Sequence, residues 1–201
     1  MTLTDVTVTK RGRYSLYVDG EFLFSAHPEV FLRSGWKAGR AVTVEELEEL
    51  RVASEDRTAK DKALDLLGHS ARTSRQLYDK LARKTDPQAA AAAVARMQEL
   101  GLVDDADYAR RYIADKLNLK EWGLARILHE LRAKGVDQQS IDAALEELEY
   151  DGRARLQEIL RRRYLPLPDD PKKRAALVSR LMRQGYEYEE IKAAMGLADE
   201  D

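Results

Sequence analysis

Asp104 and Asp105 stand side by side in the stretch GLVDDADYARRYI, residues 101 to 113, and a pair of carboxylates is the simplest device for sharing a proton or holding a cation. The spacing argues against both. Adjacent residues on a helix point about 100° apart, so these side chains do not converge on one proton or metal without further ligands, and none lies nearby in the sequence. A helix start accounts for them instead: one aspartate caps free N–H groups and Asp107 sits in the first turn near the positive end of the dipole, each effect worth about 1 kcal/mol or less. His27, His69 and His129 have no HExxH, HxH or H-x3-5-H relation to one another, so their spacing makes no metal site. The chain has no G-x-x-x-x-G-K-[ST], no G-x-G-x-x-G and no G-x-S-x-G, the usual backbone devices for cradling phosphate or exposing a serine nucleophile. Cysteine is absent, which removes disulfides, thiolate catalysis and sulfur-ligated zinc. The residues predict no catalytic site, no metal and no cofactor, and therefore no enzyme.

Cations are the remaining candidates. Arg161, Arg162, Arg163, Lys172, Lys173, Arg174, Arg180 and Arg183 face only Asp169 and Asp170 within their span, a local charge of +6. A second set, Arg72, Arg75, Lys80, Arg83 and Lys84, is set against Asp79 alone, a local +4. Such runs are either ordinary solvated faces or a docking surface for an acidic partner, nucleic acid or an acidic protein groove. Tyr164, directly after the arginine triplet, could stack on a base or belong to a core. The formal net charge of -2 averages over these clusters and over the acids at 45 to 49, so it says little about partners.

The elements that carry these residues repeat. RQLYDKLARKT, RILHELRAKGV and ALVSRLMRQGY superpose without gaps at shifts of 50 and 100 residues. Leu77, Ile127 and Leu177 then coincide, as do Leu81, Leu131 and Leu181, each pair at i, i+4 on one helix face. Lys80 falls on Arg180 and Arg83 on Arg183, while the middle copy has Glu130 and Ala133 there and places Arg126, Arg132 and Lys134 elsewhere. Gly135 and Gly185 stand where a second helix needs a left-handed closing residue; the first copy has Thr85, followed by Asp86 and Pro87 as N-cap and first helical residue. Leading helices are expected over roughly 58 to 68, 105 to 117 and 152 to 163, and capping signals at Thr73 with Gln76 and at Asp170 with Pro171 start the second helices of the first and third copies. The Ala89 to Ala93 run is a strong helix former, suited either to close helix approach or to facing water.

Before the repeats the pattern is β. VTVT, YSLYV and EFLF alternate, with Asp19-Gly20 as a two-residue hairpin turn. A short helix from Pro28 to near Gly35, a strand-like AVTV and a capping box at Thr43 and Glu46 follow. The expected organisation is mainly α: a β-hairpin plus helix segment (1–57) and three-helix repeats at 58–103, 104–150 and 151–201. No repeat has enough apolar residues for an independent core, so neighbours are expected to share contacts. No stretch approaches the roughly 18 apolar residues of a membrane span, and the chain reads as a cytoplasmic monomer that does not engage a membrane.

ALDLL at 63 to 67, SRQLYDKL at 74 to 81, ELGLVDDADYA at 99 to 109, WGLARILHELRAKGVDQQSIDAAL at 122 to 145 and LMRQGYEYEEI at 181 to 191 together resemble the RecX family, bacterial modulators of the RecA recombinase. The segment from Arg13 to Leu47 is similar to the extra β-containing part of longer members. The resemblance implies three tandem three-helix repeats in a curved, elongated array that lies in the groove of the RecA filament on DNA. It also implies a non-enzymatic restraint of strand exchange, ATP hydrolysis and co-protease function, with the RecA filament as partner and weak DNA binding in some members. Cations on the two terminal repeats would grip at separated points, and two linked weak contacts gain by effective concentration. The alternative is a direct DNA binder of helix-turn-helix type. The alanine run and Thr85 depart from the family pattern, in place of a more polar helix and a glycine.

Overall fold

The structure, a computed structural model, describes residues 1 to 196. The alternating N-terminal residues form an antiparallel sheet of β1 (Leu3–Val8), β2 (Tyr14–Val18) and β3 (Glu21–Ala26), in that spatial order. Asp19 and Gly20 turn the expected hairpin with φ of 51° and 89°, the left-handed geometry a two-residue turn between twisted strands requires. Helix α1 (Pro28–Ser34) closes at Gly35. The strand expected at AVTV is reduced to a single bridge between Thr2 and Ala41, because Thr43 already caps the next helix.

That helix, α2 (Val44–His69), begins with the predicted Thr43–Glu46 capping box. The sequence suggested one helix here and a separate one from about residue 58. Instead α2 runs unbroken through both, since no glycine or proline stands between 44 and 67 to stop it. Its first half lays Leu47 and Leu50 on the sheet, with Leu3, Leu16, Ala26, Phe31 and Val42. Its second half lays Ala59 and Ala63 against α3 (Ser74–Leu81) and α4 (Pro87–Glu99). Ala89, Ala90 and Ala93 of the alanine run are buried in that contact, so of the two readings of the run close approach holds, small side chains allowing short interaxial distances. This first compact unit is Met1–Val103.

The second unit starts at Asp104 and holds α5 (Asp105–Lys120), α6 (Leu124–Ala133), α7 (Gln138–Glu146), α8 (Gly152–Arg163), α9 (Pro171–Gln184) and α10 (Tyr188–Met195). Asp104 is the N-cap of α5, accepting from the Asp107 N–H at 2.9 Å, while Asp105 is largely buried in the first turn. Asp151 and Asp170 cap α8 and α9 in the same way. Gly135 and Gly185 take φ of 80° and 96° after α6 and α9, as their positions in the repeat require. With the second half of α2 and with α3 and α4, these helices make three three-helix repeats, in which Leu77, Leu81, Ile127, Leu131, Leu177 and Leu181 are all buried.

Neighbouring repeats of the second unit share contacts, as expected, but through polar groups, and each keeps its own apolar cluster. Ile113, Ile127, Leu131 and Ile141 anchor one cluster; Leu156, Leu160, Leu181 and Ile191 anchor another. Half-buried aromatics complete the first of them, with Tyr108, Tyr112, Trp122 and Tyr150 packed on its rim, which the count of aliphatic residues alone did not foresee.

Candidate partner-docking surface

A cation is available to a partner only if the protein has not already used it. In the first repeat Arg72 donates to the Leu66 carbonyl and Arg75 pairs with Asp79 at 3.1 Å. Lys80, Arg83 and Lys84 are exposed at the end of α3, and their side chains have no partner among the described residues. Arg83 and Lys84 border a cleft of about 560 Å3, lined also by Arg13, Glu55, Thr58, Lys62 and Asp86. Its acids are engaged: Glu55 with Arg51 at 2.6 Å, and Asp86 with the Gln88 and Ala89 N–H groups as the cap of α4. Lys62 donates to the Lys84 carbonyl at 3.0 Å. Burial, and then the charges of Arg13 and Lys84, hold its ammonium below the ordinary lysine range. Crowded cations of this kind are relieved by an anion.

In the middle repeat the cations are spent internally. Arg126 lies 3.8 Å over the Trp122 ring and donates to the Arg183 carbonyl; Lys134 sits 5.3 Å over Tyr112; Arg132 donates to the Gln138 amide oxygen. Lys116, which sequence reasoning did not single out, lies over both Tyr112 and Trp122. Cations on aromatic faces gain about 0.5–1 kcal/mol each where exposed.

The third repeat splits its arginine triplet. Arg161 pairs with Glu158, one turn back on α8, at 2.9 Å. Arg162 and Arg163 both pair with Glu121, at the end of α5, whose side chain is only 13% exposed. Arg174 donates to the Pro168 carbonyl. Tyr164 is half-buried against the core of this repeat, with Arg180 5.7 Å over its ring. What remains is a face of α9. At 100° per residue Lys172, Lys173 and Arg183, none of them set over a ring, fall within an arc of about 100°, and all three are exposed. Lys172 and Lys173 stand in the first turn, where the helix dipole disfavours positive charge by a few tenths of a kcal/mol each or more. Residues placed against local stability are candidates for function.

The 16 candidate cations thus divide into a structural set and an available set, the latter at the end of α3 and along α9. No group of three or more histidine and acidic side chains able to hold a metal ion occurs among the described residues, and none of their helices is long and apolar enough to cross a membrane. Arg13 and Lys62 were missed because they contribute to the cleft from β2's approach and from α2, outside any local charge run.

Residues 59–97 match the family model of the first three-helix domain of RecX, and residues 104–145 that of the second. The chain is 29% identical over 189 residues to the regulatory protein RecX of Caldanaerobacter subterraneus subsp. tengcongensis, covering 94% of each. It is 31% identical over 136 residues to that of Lacticaseibacillus paracasei, covering 67% of this chain and 57% of the relative; the chain spans little more than half the length of this and similar relatives. A crystal structure of a regulatory protein RecX superposes with a TM-score of 0.67 over 97% of this chain and 98% of that one, at 22% identity, which shows the shared fold.

Proposed function

Because the chain belongs to the RecX family of regulatory proteins, we propose that it binds the RecA–DNA filament in its groove and restrains strand exchange, ATP hydrolysis and co-protease function by occupancy rather than by catalysis. It would do so as a monomer in the cytoplasm. The observation that carries this reading is the division of the cations. Those of the middle repeat are engaged by its own rings and by a carbonyl of the third repeat, whereas Lys80, Arg83 and Lys84 on the first repeat and Lys172, Lys173 and Arg183 on the third are exposed. Two separated contacts on one chain reinforce each other through effective concentration.

RecA ATPase and strand exchange, measured with this protein titrated in, test the reading; no effect at any ratio ends it. Reversing Lys172, Lys173 and Arg183 to glutamate removes one grip and is expected to weaken inhibition by about tenfold or more, the loss of roughly 1.4 kcal/mol. A second reading, direct DNA binding, draws on the single cationic face of α9. If about six phosphates are contacted without RecA, the logarithmic salt slope on duplex DNA is about -5; a flat slope removes that reading.

A further inference from the structure

The N-terminal sheet carries a surface that the cationic ends do not involve. Val18, Phe22, Leu23, Phe24, Val44 and Leu47 line an open trough of about 620 Å3, within the size range of ligand-binding pockets. Exposed side chains concentrate in it: Phe22 is 56% exposed, Leu23 49% and Val44 64%. Single exposed apolar residues need no explanation, but a contiguous cluster in one concavity marks an interaction site.

The trough has two walls. One is β3, which pairs only with β2 and so is an edge strand of the sheet. Leu23 has no partner in the register, Tyr17 pairing with Phe22 and Leu16 with Phe24. A bulge of this kind spoils an edge for strand addition and leaves side chains, not the backbone ladder, as the recognition elements. The other wall is the first turns of α2, where Val44, Leu47, Glu48 and Arg51 recur at helical spacing. Phe22 is held edge-on to Tyr17 with ring centroids 5.8 Å apart, so the apolar wall is pre-organised and its ordering cost on binding is reduced.

The charge of the rim selects the occupant. Asp19, Glu21 and Glu48 line the trough, with Arg51 the only cationic side chain among the described lining residues, and Arg51 is neutralised by Glu48 at 2.5 Å and Glu55 at 2.6 Å. Glu21 has no side-chain partner among the described residues. We propose that this trough docks an amphipathic segment of a partner protein, with apolar side chains seated between β3 and α2 and lysine or arginine flanks facing the acidic rim.

The test uses the full chain and two synthetic peptides, one of leucine and lysine in an amphipathic pattern and one with glutamate in place of lysine. The lysine peptide is expected to shift backbone amide resonances of β3 and the first turns of α2, and to bind at least about tenfold more tightly than the glutamate peptide. Val44→Asp puts an acid at the first position of α2, where it suits the helix dipole, so the variant folds; it is expected to weaken the lysine peptide by about tenfold. Glu21→Lys is expected to narrow the preference between the peptides. Equal binding of both peptides, binding of neither, shifts located elsewhere or indifference to Val44→Asp would each overturn the proposal. Self-association of the chain that Val44→Asp abolishes would place a second copy in the trough and overturn it as well.

Discussion

Each compact unit holds two apolar clusters, and the two units join theirs by opposite means. In the first, the sheet cluster and the first-repeat cluster are strung on one helix, α2, which buries Leu47 and Leu50 in one and Ala59 and Ala63 in the other. Side chains brace that rod: Arg13 reaches Thr58 at 3.0 Å, His27 reaches Asp61 at 3.0 Å, and Arg57 bridges Asp61 and Glu29. In the second unit the clusters are linked by the segment after α7 and by polar contacts. Gly123 donates to the Gln184 carbonyl, Tyr186 to the Glu121 carbonyl, and Arg155 to the Leu117 carbonyl. A helix spanning two cores transmits force between them. A joint of carbonyls and ion pairs can be re-made in a new arrangement at smaller cost, which would suit the proposed docking of its cations on a partner.

The contrast breaks most sharply under proline. Asp56 lies in the stretch of α2 between its two cores, and Asp56→Pro removes a helical hydrogen bond and clashes with the preceding turn, at about 3 kcal/mol or more. Glu149 lies outside helices in the connection to α8, and Glu149→Pro is expected to cost less than about 1 kcal/mol. Urea titrations followed by circular dichroism measure both. Equal losses would mean that α2 is no more of a rod than the connection after α7.

Gly185 tests the polar joint next. Its φ is +96°, and an added Cβ would meet the Arg126 main chain, while one at Gly123 would overlap the Gly185 carbonyl. Gly185→Ala is therefore expected to lose about 1–3 kcal/mol from backbone strain and contact. Gly35, which closes α1 with φ of +68° and has open space where a Cβ would stand, provides the control, since Gly35→Ala suffers the strain without a close approach. A larger loss at Gly185 measures what the joint adds.

What could be read from the sequence was local. The capping residues Thr43, Thr73, Asp104 and Asp170, the hairpin turn at Asp19 and Gly20 and the i, i+4 pairs of the repeat all rest on neighbours a few positions away, and each falls where its spacing put it. The continuity of α2 was missed because the repeat and the Thr43 cap each announced a start with no stop between them. The roles of the cations were beyond reach for a related reason. Nothing in the run Arg161, Arg162, Arg163 shows that two of the three turn to Glu121, some 40 residues earlier, or that Lys62 meets the carbonyl of Lys84. An ion pair between remote positions leaves no period in the sequence.

Glu121 gives the smallest effect and the finest distinction. Its backbone is left-handed at the close of α5, and its shielded carboxylate receives Arg162 and Arg163, which are more than half exposed. Solvent screening at the arginines limits what the pairs contribute, so Glu121→Gln is expected to cost no more than about 1 kcal/mol. That cost should fade in 1 M salt, where the screening length is about 3 Å, whereas the Asp56→Pro deficit, which comes from backbone geometry, should not. The substitution also releases two guanidinium groups at the end of α8. If the proposed inhibition of RecA runs through the cations of this repeat, Glu121→Gln is expected to leave it intact or strengthen it while stability falls. A drop in inhibition that tracks the drop in stability would instead mean that the set of the joint, and not the count of free cations, governs binding.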